Sequence, residues 1–560
     1  MRRLMFALVV LSGLIYGGLS SLPPASTEAN TLSRTMTFAP ASQQDGHTIK
    51  ITPSGPTQEM IDAANVIVHK HPSVRDFLKG AEYRLIGLQV RESSSTKGEV
   101  EPPDTFTATI FDYTNNRAFD CSGRFDGTDM KMATLVDQPH PDGAEFDAAV
   151  EIVARDPELG PQMKDGDLVP YHPMPPLVFS DMPVGKMNRT LAVGLMPKGV
   201  KHKHQIVGVD LIAKKVVRFP GNAPPAAMAN PAACGLTASG GENGRNLAGQ
   251  ADIQISRDGV EIWRFTVLRP SVSSGLKGSG VELRNVNYRG KRLLTRAHVP
   301  ILNVQYDRNL CGPYRDWQWQ EGTFFANGTD VAPGIRMCTT PPQTILESGN
   351  DSGGTSPFRG VAIYDDKEEV TVVSELNASW YRYLSRWTFT DRGVIKPRFG
   401  FGAVQNSCVC NIHTHHVYWR LDFDINTAVN NRVIENAPGG NIDLKSEGMR
   451  PRIDRLNQTW TTLNSVSGES VVLRPGPWDG NLDKYGKGDL WLLLNKSNEI
   501  DDGVTCTTCT SSFIKLVPFT NGEGIFVQDV VVWYGAHFNH INGNVACGTA
   551  AGPDIEVKQW

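Results

Sequence analysis

His413 and His415 are the residues best placed to do chemistry. They stand two apart in the stretch from Asn411 to Ile425, and a strand sends alternate side chains to opposite faces. His413, His415, Val417, Trp419, Leu421 and Phe423 then share one face, and Thr414, His416, Tyr418, Arg420, Asp422 and Asp424 share the other. The first face is apolar apart from its two imidazoles. Two neutral imidazoles at i and i+2 of a strand can chelate one metal ion, and imidazole suits copper or zinc. Half-buried histidines satisfied by backbone carbonyls would show the same pattern, so the His-x-His spacing leaves both readings open.

Two other stretches carry polar rings on apolar faces. From Tyr381 to Phe389, Tyr381, Tyr383, Trp387 and Phe389 alternate with Arg382, Arg386 and Thr388. From Asp529 to Ile541, Val530, Val532, Tyr534, Ala536, Phe538 and His540 fall together, with His537 opposite. His540 on a third buried face would complete a three-histidine site. Lys201-His-Lys-His204 falls between two expected strands and reads as a solvated turn.

The elements that must position these residues are mostly strands. A chain of 560 residues exceeds one ordinary domain, and 54 Gly, 36 Pro and many short Val/Thr/Tyr/Phe/Trp runs mark it as mainly β. Hydrophobic content of 40% supports a real core. A net charge of -4 gives no polyelectrolyte signature, which argues against a nucleic-acid partner. Neither a dinucleotide fingerprint nor a phosphate loop is present.

Residues 1–21 read as a signal peptide, with basic Arg2 and Arg3, an apolar run from Leu4 to Tyr16, and small residues after it. No later segment is apolar enough to span a membrane, so the mature chain is expected to be secreted. Residues 22–54 read as a flexible lead-in. Thr57 to His69 spaces Met60, Ile61, Ala64, Ile67 and Val68 as a helical face behind a Thr57 cap, and strands follow at 83–91 and 106–113 with a turn at Asn115-Asn116. The order recurs with a helix at 145–153 and strands at 190–195 and 205–211. Two small α+β domains are therefore expected, at 55–138 and 139–220. Residues 221–246 read as a linker, and 247–560 as one large antiparallel β-sandwich that carries the site. Strands expected there include 259–268, 280–288 and 291–297.

Export makes the nine cysteines disulfide candidates, and an odd number leaves at least one over. Cys408-x-Cys410 and Cys506-x-x-Cys509, with His413 and His415 nearby, also offer a zinc reading. Six glycosylation sequons begin at Asn188, Asn327, Asn350, Asn377, Asn457 and Asn495.

Taken together, these stretches resemble the copper-dependent amine oxidases. That family has His-x-His followed by Arg-Leu-Asp-x-Asp, matched here by His413, His415, Arg420, Asp422 and Asp424. Its third His follows an Asp-x-x-x-Trp strand, as Asp529, Trp533 and His540 do, and its precursor tyrosine stands where Tyr381 does. Upstream, Trp263-x-Phe265, Gly280-Val-x-Leu283, Val286-x-Tyr288, Arg296-Ala297, Pro300 and Tyr306 resemble the entry to the same catalytic domain. The resemblance runs from about residue 57 to 545.

The resemblance implies a reaction in which a primary amine, O2 and water give aldehyde, ammonia and hydrogen peroxide. It implies copper on His413, His415 and His540, a topaquinone formed from Tyr381, and Tyr306 hydrogen-bonded to it. Asp316 becomes the candidate catalytic base, with Asp307 and Glu321 as alternatives. Asp422, Asp424 and Asp529 match a peripheral calcium-type site, and the family's assembly implies a homodimer. The chain also departs from the pattern. Trp380 stands where the family has Asn, the Asp316 segment is shorter than usual, and Ala362 replaces a family cysteine, which leaves Cys338 to pair elsewhere, with Cys311 as the suggestion. These departures keep a second reading open: a catalytically degenerate copper-binding relative.

Overall fold

Beyond residue 247 the alternation of apolar and polar residues builds two large sheets whose apolar faces meet. The computed structural model describes residues 46–560 except 56, 92–103, 137, 174–175, 179–181, 199–200, 203–204, 219–233, 238–248, 276–278, 308–313, 316–320, 379, 454–456, 481–488, 503–515 and 541–549. The first large sheet has ten strands. Its centre is Ser279–Tyr288, Lys291–Tyr306, His413–Phe423, Val530–His540 and Leu490–Leu494, in that order. The second has eleven strands, with Val361–Asp365, Glu369–Ala378, Tyr381–Thr390 and Val394–Ala403 side by side. Between them lies one apolar core that includes Trp263, Phe265, Trp387, Phe389, Trp419 and Trp460. The architecture is mainly β, with small α+β parts ahead of a large antiparallel sandwich.

Ahead of the sandwich, helix and strands occur twice. The helix Gln58–Lys70 is capped by the Thr57 hydroxyl, which accepts from the Met60 N–H at 3.3 Å. With Pro72–Phe77 it packs on a four-stranded sheet through Ala64, Val68 and Val74. The helix Gly143–Ala154, capped by Asp142, packs on a second four-stranded sheet through Phe146, Ala149 and Val153. Asn116, at the expected turn, takes the left-handed conformation with φ of 48°.

Three expectations are corrected. The lead-in is not flexible to residue 54: Thr48–Pro53 pairs with Gln250–Arg257 as the edge strand of the first sheet, with Ile49 and Ile51 against the core. The Pro/Ser/Gly-rich surroundings mask a clean period-two alternation. The strand expected at 291–297 continues to Tyr306 despite Pro300. Its pairing shifts register between His298 and Ile301, so a bulge takes up the proline's missing N–H. The suggested Cys311–Cys338 bond does not form, because Cys338 is a buried free thiol. Instead Cys234, in the expected linker, is bonded to Cys410. Cys408 is disulfide-bonded as well, which removes both thiolates from the zinc reading.

Candidate copper and tyrosine site

The strand His413–Phe423 is buried along its whole length. It lies between Lys291–Tyr306 and Val530–His540, and the registers set Tyr306, His413 and His540 abreast on three neighbouring strands. The side chains of His540 and Phe538 lie outside the described residues. Val417, Trp419, Leu421 and Phe423 do enter the inter-sheet core, as the period-two reading requires, while Tyr418 joins a separate cluster with Trp491 and Trp533 behind the sheet.

Tyr381 comes from the opposite sheet. Ala378 pairs with Tyr381 across a tight hairpin, and Tyr381, Tyr383, Trp387 and Phe389 face inward. The Tyr381 ring is 4.8 Å from that of His415 and 5.5 Å from that of His413, centroid to centroid. Its hydroxyl shares a hydrogen bond of 2.6 Å with the Tyr306 hydroxyl. Trp380 donates its indole N–H to the same Tyr306 oxygen at 3.2 Å. Phe401 covers the His415 ring at 3.7 Å.

The hydrogen bonds also orient the imidazoles. His413 Nδ1 lies 2.6 Å from the Asn411 carbonyl oxygen. A carbonyl can only accept, so Nδ1 carries the proton and the Nε2 lone pair is the one His413 offers to a metal. His415 Nδ1 lies 2.9 Å from the Tyr383 hydroxyl, which leaves its buried Nε2 as the matching donor. Ligating histidines are usually held in this way through their other nitrogen. Two buried imidazoles so oriented, with His540 in register, fit copper or another ion that favours nitrogen.

The carboxylates divide into groups. Asp422, Asp424 and Asp529 bring oxygens within 4.8 Å of one another behind the sheet, away from the imidazoles. Asn495 donates to Asp529 at 3.2 Å, and Thr295 donates to Asp424 at 2.5 Å. Hard oxygen donors in this arrangement suit a calcium-type cation. Asp316 lies outside the described residues. Asp307 follows Tyr306 directly and donates its backbone N–H to the Ile412 carbonyl at 2.9 Å, beside the histidine strand. Glu321 is fully buried and held by Arg269 at 2.5 and 3.1 Å and by the Ser271 hydroxyl at 3.0 Å. A carboxylate so paired is fixed in place by its partners, which argues against Glu321 as a mobile base.

Sequence reasoning did not give Tyr383, Asn411 or Phe401 a role. Tyr383 had a signal, since it shares the inward face of the Tyr381 strand. Asn411 had none, because it acts through its carbonyl. Asn377, one of the six sequons, is 5% exposed and has no room for a glycan.

Comparison with known proteins places this architecture. No known family profile matches the sequence, and no curated protein matches it. Solved structures do. A copper-containing benzylamine oxidase from Hansenula polymorpha superposes with a TM-score of 0.55 at 12% identity, over 90% of this chain and 97% of that one. An amine oxidase from Aspergillus nidulans gives 0.55 at 10% identity, over 90% and 88%. A lysyl oxidase from Pichia pastoris gives 0.52 at 11% identity, over 90% and 89%. The chain therefore has the fold of these amine oxidases, at sequence identities that speak for the fold alone.

Proposed function

We propose that this chain is a copper-dependent primary amine oxidase whose organic cofactor is made from Tyr381. The observation that carries this reading is the placement of the Tyr381 ring, 1% exposed, beside His413 and His415 with its hydroxyl on Tyr306. Copper bound by His413, His415 and His540 would, with O2, supply topaquinone at Tyr381, an electrophilic carbonyl that no ordinary side chain offers. The remaining work falls to the chain itself. Asn411 and Tyr383 hold the Nδ1 atoms of His413 and His415, so that each imidazole would present Nε2 to the metal. Tyr306 fixes the direction of the Tyr381 hydroxyl, and the aromatic wall of Phe401 and Tyr383 excludes water. Proton removal from the amine substrate needs a carboxylate within hydrogen-bond reach; Asp316 is the assigned base, with Asp307 the described carboxylate adjacent to Tyr306. Asp422, Asp424 and Asp529 take a calcium-type ion in the same reading. Export through the 1–21 segment agrees with the Cys234–Cys410 disulfide, since disulfides persist in oxidising compartments, and assembly as a homodimer completes the proposal.

Mass spectrometry of the peptide containing Tyr381, after exposure to copper and O2, tests it. The quinone mass on Tyr381 is the expected result, and an unmodified tyrosine overturns the oxidase reading. Trp380 favours the second reading, a copper-binding relative without amine chemistry, because its indole N–H engages the Tyr306 hydroxyl. That reading predicts stoichiometric copper and an unmodified Tyr381.

A further inference from the structure

We propose that His416 and His537 form a second site for a transition-metal dication of the copper or zinc class, on the face of the strands opposite His413 and His415. The two residues pair directly across neighbouring strands, and both are buried, at 1% and 4% exposure. Their rings lie 5.1 Å apart and inclined by 71°, close to the 4.9 Å and 74° of the His413–His415 pair. The same two-imidazole geometry thus occurs twice, once on each face of one sheet.

What points to a ligand is His537. Its Nε2 lies 2.6 Å from Asp489 Oδ1, while its Nδ1 is buried with no hydrogen-bond partner. An ionised carboxylate can only accept, so Asp489 places the proton on Nε2 and leaves Nδ1 as a bare lone pair inside the protein. Leaving such an acceptor unsatisfied is costly. A carboxylate behind an imidazole whose other nitrogen is bare is the arrangement that orients metal-ligating histidines. The charges around it agree. Among the described residues, Asp479 and Asp489 are fully buried in this cluster, and the one cation facing them is Arg452. Tyr534 donates its hydroxyl to Asp479 at 2.5 Å, and its pKa is raised by burial and by that charge, so it stays protonated and adds no negative charge. Two carboxylates against one guanidinium favour a bound cation at this place. The Tyr418 ring also lies beside His537, 6.3 Å away between centroids.

The test uses a full-length variant carrying His413→Ala and His415→Ala, so its outcome does not depend on the amine oxidase reading. Copper(II) alone is titrated into it and followed by electron paramagnetic resonance. The expected result is one equivalent of bound copper with hyperfine coupling to two imidazole nitrogens, lost when His537→Phe is added. Oxygen-only coordination, which the Asp422 group would give, or no bound copper, with water alone satisfying Nδ1, overturns the proposal. So does nitrogen coupling that survives His537→Phe. Should that variant not fold by circular dichroism, Asp489→Asn and His416→Gln decide the matter. Asp489→Asn weakens binding about 10- to 100-fold if the carboxylate orients a ligand, and unchanged affinity in both variants overturns the assignment.

Discussion

The two faces of the strand His413–Phe423 are equally buried but built from different materials. Toward the facing sheet, His413 and His415 lie among Tyr381, Tyr383 and Phe401, held by hydrogen bonds and ring contacts. Away from it, Arg420 is wholly buried, with Nε on the Glu499 carbonyl at 3.0 Å and Nη2 on Asn495 at 2.9 Å. Asp422 and Asp424 follow on that side. The inner face can lose a polar atom cheaply because its rings are mostly apolar. The outer face cannot, because Arg420, Asp422 and Asp424 are charged groups already removed from water. Chemistry on one side and fold stability on the other should therefore separate under mutation.

The largest effect expected is on the inner face. Tyr381→Phe removes the oxygen from which any quinone must be built, so amine-dependent hydrogen peroxide production falls to background. The same change costs only about 1 kcal/mol of stability, the worth of one hydrogen bond, as denaturant unfolding can measure. A variant that still turned over amine would place the redox group elsewhere and break the comparison at its inner side. Arg420→Ala should show the converse. Stranding Asp422 and its neighbours without a cation costs about 3–5 kcal/mol, read as a lowered unfolding midpoint, and added calcium should restore part of it by binding the native carboxylates.

Tyr383→Phe sharpens the comparison further. Loss of the partner of His415 Nδ1 should weaken copper binding about 10- to 100-fold with little change in stability, measured by competition with a chelator. A matching drop in the unfolding midpoint would show that the inner face also carries the fold.

Glu375 carries the contrast to the other sheet, on the outer side of the hairpin that presents Tyr381. Burial raises its carboxyl pKa to about 8, against partial relief from the Ile345 N–H and Arg382. The folded state then holds a proton that the unfolded chain releases near 4.5. Stability is fully present below that value and is lost as pH rises toward 8. Glu375→Gln keeps an acceptor for Ile345 and should raise the thermal midpoint at pH 8 while leaving it unchanged at pH 4.5.

The smallest effect is expected at the sheet edge. Burial acts to lower the pKa of His47, but the hydrogen bonds it donates to Asp365 at 2.7 Å and Asp391 at 2.6 Å, with their charges, raise it overall. This clamp on the edge strand stabilises below the unfolded pKa of about 6.5 and is lost as pH rises through the higher folded value. His47→Gln should flatten that part of the stability–pH curve without altering copper binding.

Much of this was legible in residue order. Period-two alternation placed His413 and His415 on the apolar face of their strand and Asp422 and Asp424 on the other. It also read Tyr381 and Tyr383 as companions, and Thr57 as a helix cap. These are local properties, set by the pleat of a strand and the spacing of a helical turn. Tertiary structure decided the rest. Only the facing of two sheets brings Tyr381 onto His415, and only strand register sets Tyr306 beside His413. Only the fold lets Cys234 reach Cys410, locks Glu321 to Arg269, and stands His416 against His537 with Asp489 behind. Each joins residues far apart in the chain, and sequence periodicity carries the phase of a strand but not the identity of its neighbour.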